Sequence, residues 1–248
     1  MQYREYGNQN SKVMILLHGG GLSQWNYRET AQLLQEEYRV ILPILDGHGG
    51  SHCPFTTIEE NAARIIRFID EAFGGQVELL GGLSLGGQIL LEILAQRPNI
   101  CRRAVVESAS VSPSRLTHAM IAPAFGSCYG LIRRKWFATL QFRSLRIQEV
   151  LFDDYFRDTC AITQESMIAF MQASTLYTLK PAIGQCATKT HVFVGEKENR
   201  AMHRSAAQIA QALPNAQMQV LPGLYHGQFS LNHAADYAQM IRKAITDQ

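Results

Sequence analysis

The stretch Val77-Glu78-Leu79-Leu80-Gly81-Gly82-Leu83-Ser84-Leu85-Gly86 carries an apolar run into a Gly-x-Ser-x-Gly turn. Gln88-Ile89-Leu90-Leu91-Glu92-Ile93-Leu94-Ala95 continues it with a helix-like pattern. Strand, turn and helix in this order are the setting in which such a turn holds a serine hydroxyl out at a strand's end. Gly82 and Gly86 lack the Cβ atoms that would collide where strand and helix converge. Alone, the pattern also fits an ordinary strand-to-helix turn, so its reading depends on the rest of the chain.

Around that turn, strands and helices alternate. Val13-Met14-Ile15-Leu16-Leu17 reads as a buried strand, Tyr27 to Gln35 as a helix and Arg39-Val40-Ile41-Leu42 as a second strand. Thr57 and Glu60 have capping-box spacing, and Ile58, Ala62, Ile65, Ile66, Ile69 and Phe73 then repeat with the helical period. Further strands are expected at Ala104-Val105-Val106, His191-Val192-Phe193-Val194 and Met218-Gln219-Val220-Leu221, with helices from Ser205 to Leu213 and from His233 onward. Near-continuous apolar strands separated by helices predict an α/β fold, a mostly parallel sheet covered by helices on both faces.

From Val111 to Ala187 the alternation stops. Helices are expected over Met120–Phe125, Leu131–Leu140, Ile147–Phe156 and Gln164–Leu176, with no convincing strand. This reads as an inserted all-helical cap over 111–187, the core being formed by 1–110 and 188–248. The insert is rich in large apolar side chains, Trp136 and Phe170 among them, which are expected to roof a pocket as well as to pack.

Composition narrows the classes. A chain of 248 residues that is 46% hydrophobic and 18% charged is globular in type. The net charge of +2 is too small to imply nucleic acid or an anionic membrane as partner, and it argues against a strongly anionic substrate. Arg133-Arg134-Lys135 reads as a solvated face. No run approaches the ~20 apolar residues of a membrane span. Met1 to Tyr6 lacks the apolar core of a secretion signal. Cys53, Cys101, Cys128, Cys160 and Cys186 are odd in number and lack C-x-x-C spacing, so reduced thiols packed as small apolar residues in a cytoplasmic protein are expected. Neither metal-ligand spacing nor a nucleotide-binding glycine pattern is present, and no cofactor or metal is expected.

Three more motifs accompany the serine turn. Leu17-His18-Gly19-Gly20-Gly21 follows the first buried strand, and Asp46-Gly47-His48-Gly49-Gly50-Ser51 follows the second. Gly223-Leu224-Tyr225-His226-Gly227 precedes the last helix. With these, the chain resembles the α/β-hydrolase-fold serine hydrolases with a helical cap, in element order over nearly its whole length. The resemblance implies Ser84 as nucleophile, His226 as its base, and loop-supporting roles for His18 and His48. It implies the orienting acid three residues beyond the glycine that follows the strand after the cap, here Glu198 after Gly195. Glu196, and Glu107 at the end of the preceding strand, remain alternatives. The oxyanion hole is expected from the backbone N–H groups of Gly20, with Gly21 a near second, and of Leu85. One departure is plain: relatives carry an aspartate just after the proline of the second strand, where Pro43 here precedes Ile44 and Leu45.

The expectation is therefore a cytoplasmic hydrolase of a small apolar carboxylic ester or thioester, working through a Ser-His-Glu triad and an acyl-enzyme. Two alternatives stand beside it. The same fold and triad serve C–C bond hydrolases and lyases, and a ligand sensor could retain the fold without catalysis.

Overall fold

The computed structural model describes residues 1–246. In chain order its strands and α-helices are β1 (Tyr3–Tyr6), β2 (Val13–Leu17), α1 (Arg28–Leu34), β3 (Arg39–Pro43), α2 (Ile58–Phe73), β4 (Val77–Leu83), α3 (Leu85–Gln96) and β5 (Cys101–Glu107). Then come α4 (Arg115–Cys128), α5 (Lys135–Leu145), α6 (Phe152–Ala161) and α7 (Gln164–Leu176). The chain closes with β6 (Lys189–Gly195), α8 (Arg200–Ala212), β7 (Ala216–Leu221), α9 (Gln228–Asn232) and α10 (Ala234–Thr246).

All seven strands form one sheet in the order β1-β3-β2-β4-β5-β6-β7, parallel throughout except for β1 against β3. Every residue of β2 is buried, as a strand covered on both faces requires. Two apolar clusters carry that cover. One packs Ile65, Ile69 and Ile89 against Ile15, Leu17 and Leu80. The other packs Leu34, Tyr237 and Ile241 against Met14, Leu16 and Leu79. This is the α/β-hydrolase fold. Because the strands are parallel, the ends of β2, β4, β5 and β6 open on one edge of the sheet, where an open α/β sheet places its ligands.

β1 has no counterpart in the sequence pattern. Its polar residues Tyr3-Arg4-Glu5-Tyr6 become a strand only by pairing with the edge of β3, Arg4 opposite Leu42. Segment 111–187 holds helices and no strand among the described residues, but their ends differ from those that periodicity indicates. α4 reaches back to Arg115, because the Ser114 hydroxyl accepts the Thr117 amide at 3.3 Å. The helix expected over 131–140 is split at Arg134, whose backbone is extended (φ −92°, ψ 119°), into a 3-10 turn and α5. Gln148, extended at φ −58° and ψ 131°, delays the next one, which starts as a 3-10 turn over Glu149–Leu151 and continues as α6. α8 starts at Arg200 rather than Ser205, since Asn199 Oδ1 accepts the Met202 amide at 3.0 Å. At Thr57 the side chain accepts the Glu60 amide at 3.0 Å, one arm of the expected capping box.

The helical segment is tied to the core by buried polar contacts. Trp25 Nε1 donates to Asp158 Oδ2 at 3.0 Å, and Gln88 Nε2 donates to the Ser174 carbonyl at 2.9 Å. The cysteines are free, but only Cys101 and Cys186 are buried; Cys128 is exposed, so packing does not account for all five. No helix among the described residues is long and apolar enough to cross a membrane.

Candidate active site

Ser84 sits between the last residue of β4 and the first of α3 with φ 53° and ψ −111°, a backbone region that non-glycine residues rarely occupy. The surroundings impose it. The Ser84 amide donates to the Glu107 carbonyl at 2.8 Å, and the Gln88 amide already returns to the Ser84 carbonyl at 2.9 Å. Strand pairing and the first helical turn thus meet at a single residue. A Cβ on Gly86 would lie 2.2 Å from the Leu17 carbonyl oxygen, and one on Gly82 would lie 2.4 Å from the Gly86 carbonyl oxygen. Both positions therefore exclude any side chain, as the sequence reading expects.

His226 follows β7 on the loop before α9. Its Nδ1 stands 2.7 Å from Glu198 Oε2. The other carboxylate oxygen, Oε1, accepts the Ser108 hydroxyl at 2.7 Å and the Gly195 amide at 2.8 Å. The Glu198 side chain is 3% exposed and the His226 side chain 48%, so the acid is enclosed while the imidazole remains open. Burial would raise the Glu198 pKa, but His226, Ser108 and the Gly195 amide outweigh it and hold the carboxyl below its ordinary value. An ionised Glu198 requires a proton on Nδ1 of His226, which leaves Nε2 free to accept one.

The other two carboxylates lie elsewhere. Glu196 Oε2 accepts the Gly223 amide at 2.7 Å on an exposed turn. Glu107 is buried, and its Oε1 accepts the Phe229 and Ser230 amides at 3.1 and 3.3 Å at the start of α9. Burial pushes the Glu107 carboxyl up to about 7, against the opposing pull of Ser230 and His226. Of the three acids, Glu198 is the one bonded to the imidazole.

The loop after β2 faces the same place. Gly19 gives its amide to Asn26 Oδ1 at 3.3 Å, whereas the next amide, that of Gly20, bonds to no described residue. A Cβ on Gly20 would lie 3.4 Å from Phe170 Cε2 and 3.5 Å from Leu85 Cδ2, so this backbone runs close to the first residue of α3. Leu85 opens α3, where an amide has no partner within its own helix. Both histidines assigned to loop support are buried. His18 Nε2 accepts the Leu45 amide at 3.1 Å, so Nδ1 donates to the Gly19 carbonyl at 2.9 Å. His48 packs edge-on against His18 and stacks on Phe170, with ring centroids 4.9 and 4.5 Å apart. Burial, with His48 adding to it, holds the His18 pKa well below its usual range, and burial brings His48 to about 4. Both are neutral at physiological pH.

Ser84, Gly20, Glu198 and His226 line one cavity of about 460 Å³. Its apolar wall includes Leu22 and Leu83 from the core, and Phe125, Ile132, Met167 and Phe170 from the helical segment. Trp136 does not line it and is 63% exposed. No group of three or more His, Cys, Asp or Glu among the described residues could hold a metal ion. Sequence reasoning did not single out Ser108, Arg146 or Lys197, all of which adjoin the site. None belongs to a motif, and only the packing brings them there.

A strained serine turn and a carboxylate–imidazole pair line one cavity on a sheet of this order, the arrangement of the α/β-hydrolase fold. The chain belongs to the alpha/beta hydrolase family, whose sequence model matches residues 14–240. A (R)-3-hydroxydecanoyl-ACP:CoA transacylase of Pseudomonas aeruginosa is 35% identical over 122 residues, which are 46% of this chain and 39% of that protein. In this and two other curated relatives the matched part is 39%, 40% and 48% of the relative's length. Among solved structures, an enol-lactonase from Burkholderia xenovorans superposes with a TM-score of 0.82 at 17% identity, covering 99% of this chain and 96% of that one. A thermophilic esterase from Thermogutta terrifontis does so at 0.79 and 19%, covering 98% and 91%.

Proposed function

We propose that this protein cleaves a small, largely apolar carboxylic ester or thioester through an acyl-enzyme, with segment 111–187 acting as its cap. The observation that carries the reading is the Glu198–His226 pair, 2.7 Å apart, on the cavity that also receives Ser84.

On this reading His226 Nε2 takes the proton of the Ser84 hydroxyl as Oγ attacks the substrate carbonyl carbon. Negative charge moves to the carbonyl oxygen, where the Gly20 and Leu85 amides hold it. The imidazolium, stabilised by Glu198, returns its proton to the leaving oxygen or sulfur as the C–O or C–S bond breaks, leaving Ser84 acylated. Water then attacks under the same base, releasing the carboxylic acid and restoring the serine. The thioester-to-thioester transfer in the Pseudomonas relative's name uses the same acyl chemistry with a thiol in place of water. That likeness favours including thioesters, and acyl transfer, in the substrate range. The free cysteines accord with a cytoplasmic location.

The test is intact-mass spectrometry after fluorophosphonate treatment. One adduct is expected on the wild type and none on Ser84→Ala, whose turnover should fall on the order of 10⁶-fold. An adduct that persists on Ser84→Ala would remove Ser84 as nucleophile. A wild type that takes no adduct and turns over no ester would make the protein a binding module on this fold.

A further inference from the structure

The mouth of the cavity carries a feature that the ester-cleaving machinery does not use. Arg146 and Lys197 both line it, one from the end of α5 and one from the loop after β6. Both bear on the same ring: the Arg146 guanidinium carbon lies 4.0 Å, and Lys197 Nζ 5.1 Å, from the Tyr225 ring centroid. Tyr225 immediately precedes His226. Neither cation forms an ion pair with any described residue, although Arg28, Arg64, Arg97, Arg157 and Lys180 all do.

Arg146 is held there deliberately by the fold. It is a non-glycine residue in the left-handed region (φ 57°, ψ 33°), a conformation that surrounding contacts must enforce. Its carbonyl accepts Gln228 Nε2 at 2.8 Å and Asn232 Nδ2 at 2.9 Å, both from the short helix that follows His226. Gln228 Oε1 in turn accepts the Tyr225 amide at 2.9 Å. Backbone, ring and guanidinium are thus fixed together beside the imidazole. From Ser108 to Gln148 there is no Asp or Glu, while Arg115, Arg133, Arg134, Lys135, Arg143 and Arg146 fall in that span. The small net charge of the whole chain conceals this local excess.

We infer that Arg146 and Lys197, braced on Tyr225, form an anion-recognising subsite for the leaving group of the substrate. This rests on the hydrolase reading above, and the side of the cavity follows from chemistry. His226 must deliver a proton to the leaving atom, so the leaving group passes the imidazole, and the two cations flank the residue beside it. Preferred substrates are then acyl esters or thioesters of an alcohol or thiol bearing a phosphate or a carboxylate, with the acyl chain in the apolar wall. Cations stacked on an aromatic face keep their outward N–H groups available to such an anion.

Two substrate pairs test it. Octanoyl-coenzyme A is compared with octanoyl-N-acetylcysteamine, and 4-(octanoyloxy)benzoate with phenyl octanoate. The anionic member of at least one pair should have the higher kcat/KM, with the advantage shrinking as salt is added. A preference confined to the coenzyme A pair identifies phosphate as the anion read, and one confined to the benzoate pair identifies carboxylate. In Arg146→Asn, which tolerates the left-handed backbone, and in Lys197→Gln, the anionic-to-neutral ratio should drop by about ten-fold, whereas Arg146→Lys should retain part of it. Free coenzyme A should also bind more tightly than pantetheine in titrations without turnover, and Arg146→Asn should erase the difference. That arm is read even if no ester is cleaved, so failure of the hydrolase reading is distinguishable from failure of the subsite. No preference in either pair, or a ratio unmoved by both substitutions, would overturn the inference.

Discussion

Ser108 donates its hydroxyl to Glu198 Oε1 at 2.7 Å, from a backbone that is itself in the left-handed region (φ 52°). Ser108 directly follows β5, and its amide bonds to the Phe193 carbonyl of β6 at 2.9 Å. The end of the sheet thus presents a fixed donor to the carboxylate oxygen that His226 does not use. Removing such a bond to a charged group costs about 1.5–3 kcal/mol. Ser108→Gly keeps the backbone accessible while deleting the hydroxyl, and should lower kcat/KM on the order of 10-fold or more without preventing folding. Ester turnover alongside circular dichroism checks this. Unchanged turnover would mean that the Gly195 amide alone orients the acid.

Glu198→Gln should place an amide against Nδ1 and favour the wrong imidazole tautomer, with kcat falling on the order of 10⁴-fold. Glu196→Gln still offers an oxygen to the Gly223 amide and should change little. Steady-state kinetics on the two variants decides between them. A crippled Glu196→Gln enzyme would move the acid to the other side of the loop.

Stability should depend on pH through opposed groups. Glu107 titrates at about 7 in the fold, above its ordinary 4.5, so the folded state binds the extra proton between those values. Its contribution is complete below about 4.5 and is lost as pH rises through about 7. His18 and His48 act the other way, since their pKa values are lowered: the unfolded chain binds those protons first, and stability falls as pH drops below 6.5. Glu107→Gln removes the opposing component, so its stability should rise more steeply than the wild type's between pH 4.5 and 7. The difference should be on the order of 3 kcal/mol across the window. Urea titrations of both proteins at a series of pH values measure it, and parallel curves would contradict it.

Phe170 and Trp136 should behave differently although both are large aromatics of the helical segment. Phe170 is buried against His48, with Phe55 nearby, and adjoins Gly20, so Phe170→Ala should cost about 3–5 kcal/mol and shift the preferred acyl length upward. Phe170→Leu offers a milder version if the alanine variant unfolds. Trp136 is 63% exposed and away from the cavity, so Trp136→Ala should stay within about 0.5 kcal/mol and keep the chain-length profile. Denaturation curves and a panel of p-nitrophenyl esters read both effects.

Much of this arrangement could be read from the chain because its parts are local. The buried strands are short apolar runs, the serine turn is a contiguous pentapeptide, and Gly82 and Gly86 are dictated by backbone contacts within that same turn. Glu198 and His226 were reachable because each has a fixed place after a recognisable strand. The rest depends on distance along the chain. Nothing near Ser108 announces that it meets a residue ninety positions later. β1 exists only through its pairing with β3, and Arg134 interrupts one helix and Gln148 delays another through backbone angles that hydrophobic periodicity does not register. Arg146 is invisible for the same reason, being placed by Gln228 and Asn232 from the far end of the sequence.

Those two amide side chains also set a rule for building chimaeras. The carbonyl that Gln228 and Asn232 grip belongs to segment 111–187, whereas both of them lie in α9, after the last strand. A segment 111–187 exchanged for a relative's would keep that tether only if its residue at this corner adopts the same left-handed backbone, which aims the carbonyl at the two amides. A functional exchange therefore needs, at position 146, a residue that tolerates this backbone, facing the unchanged amides of positions 228 and 232.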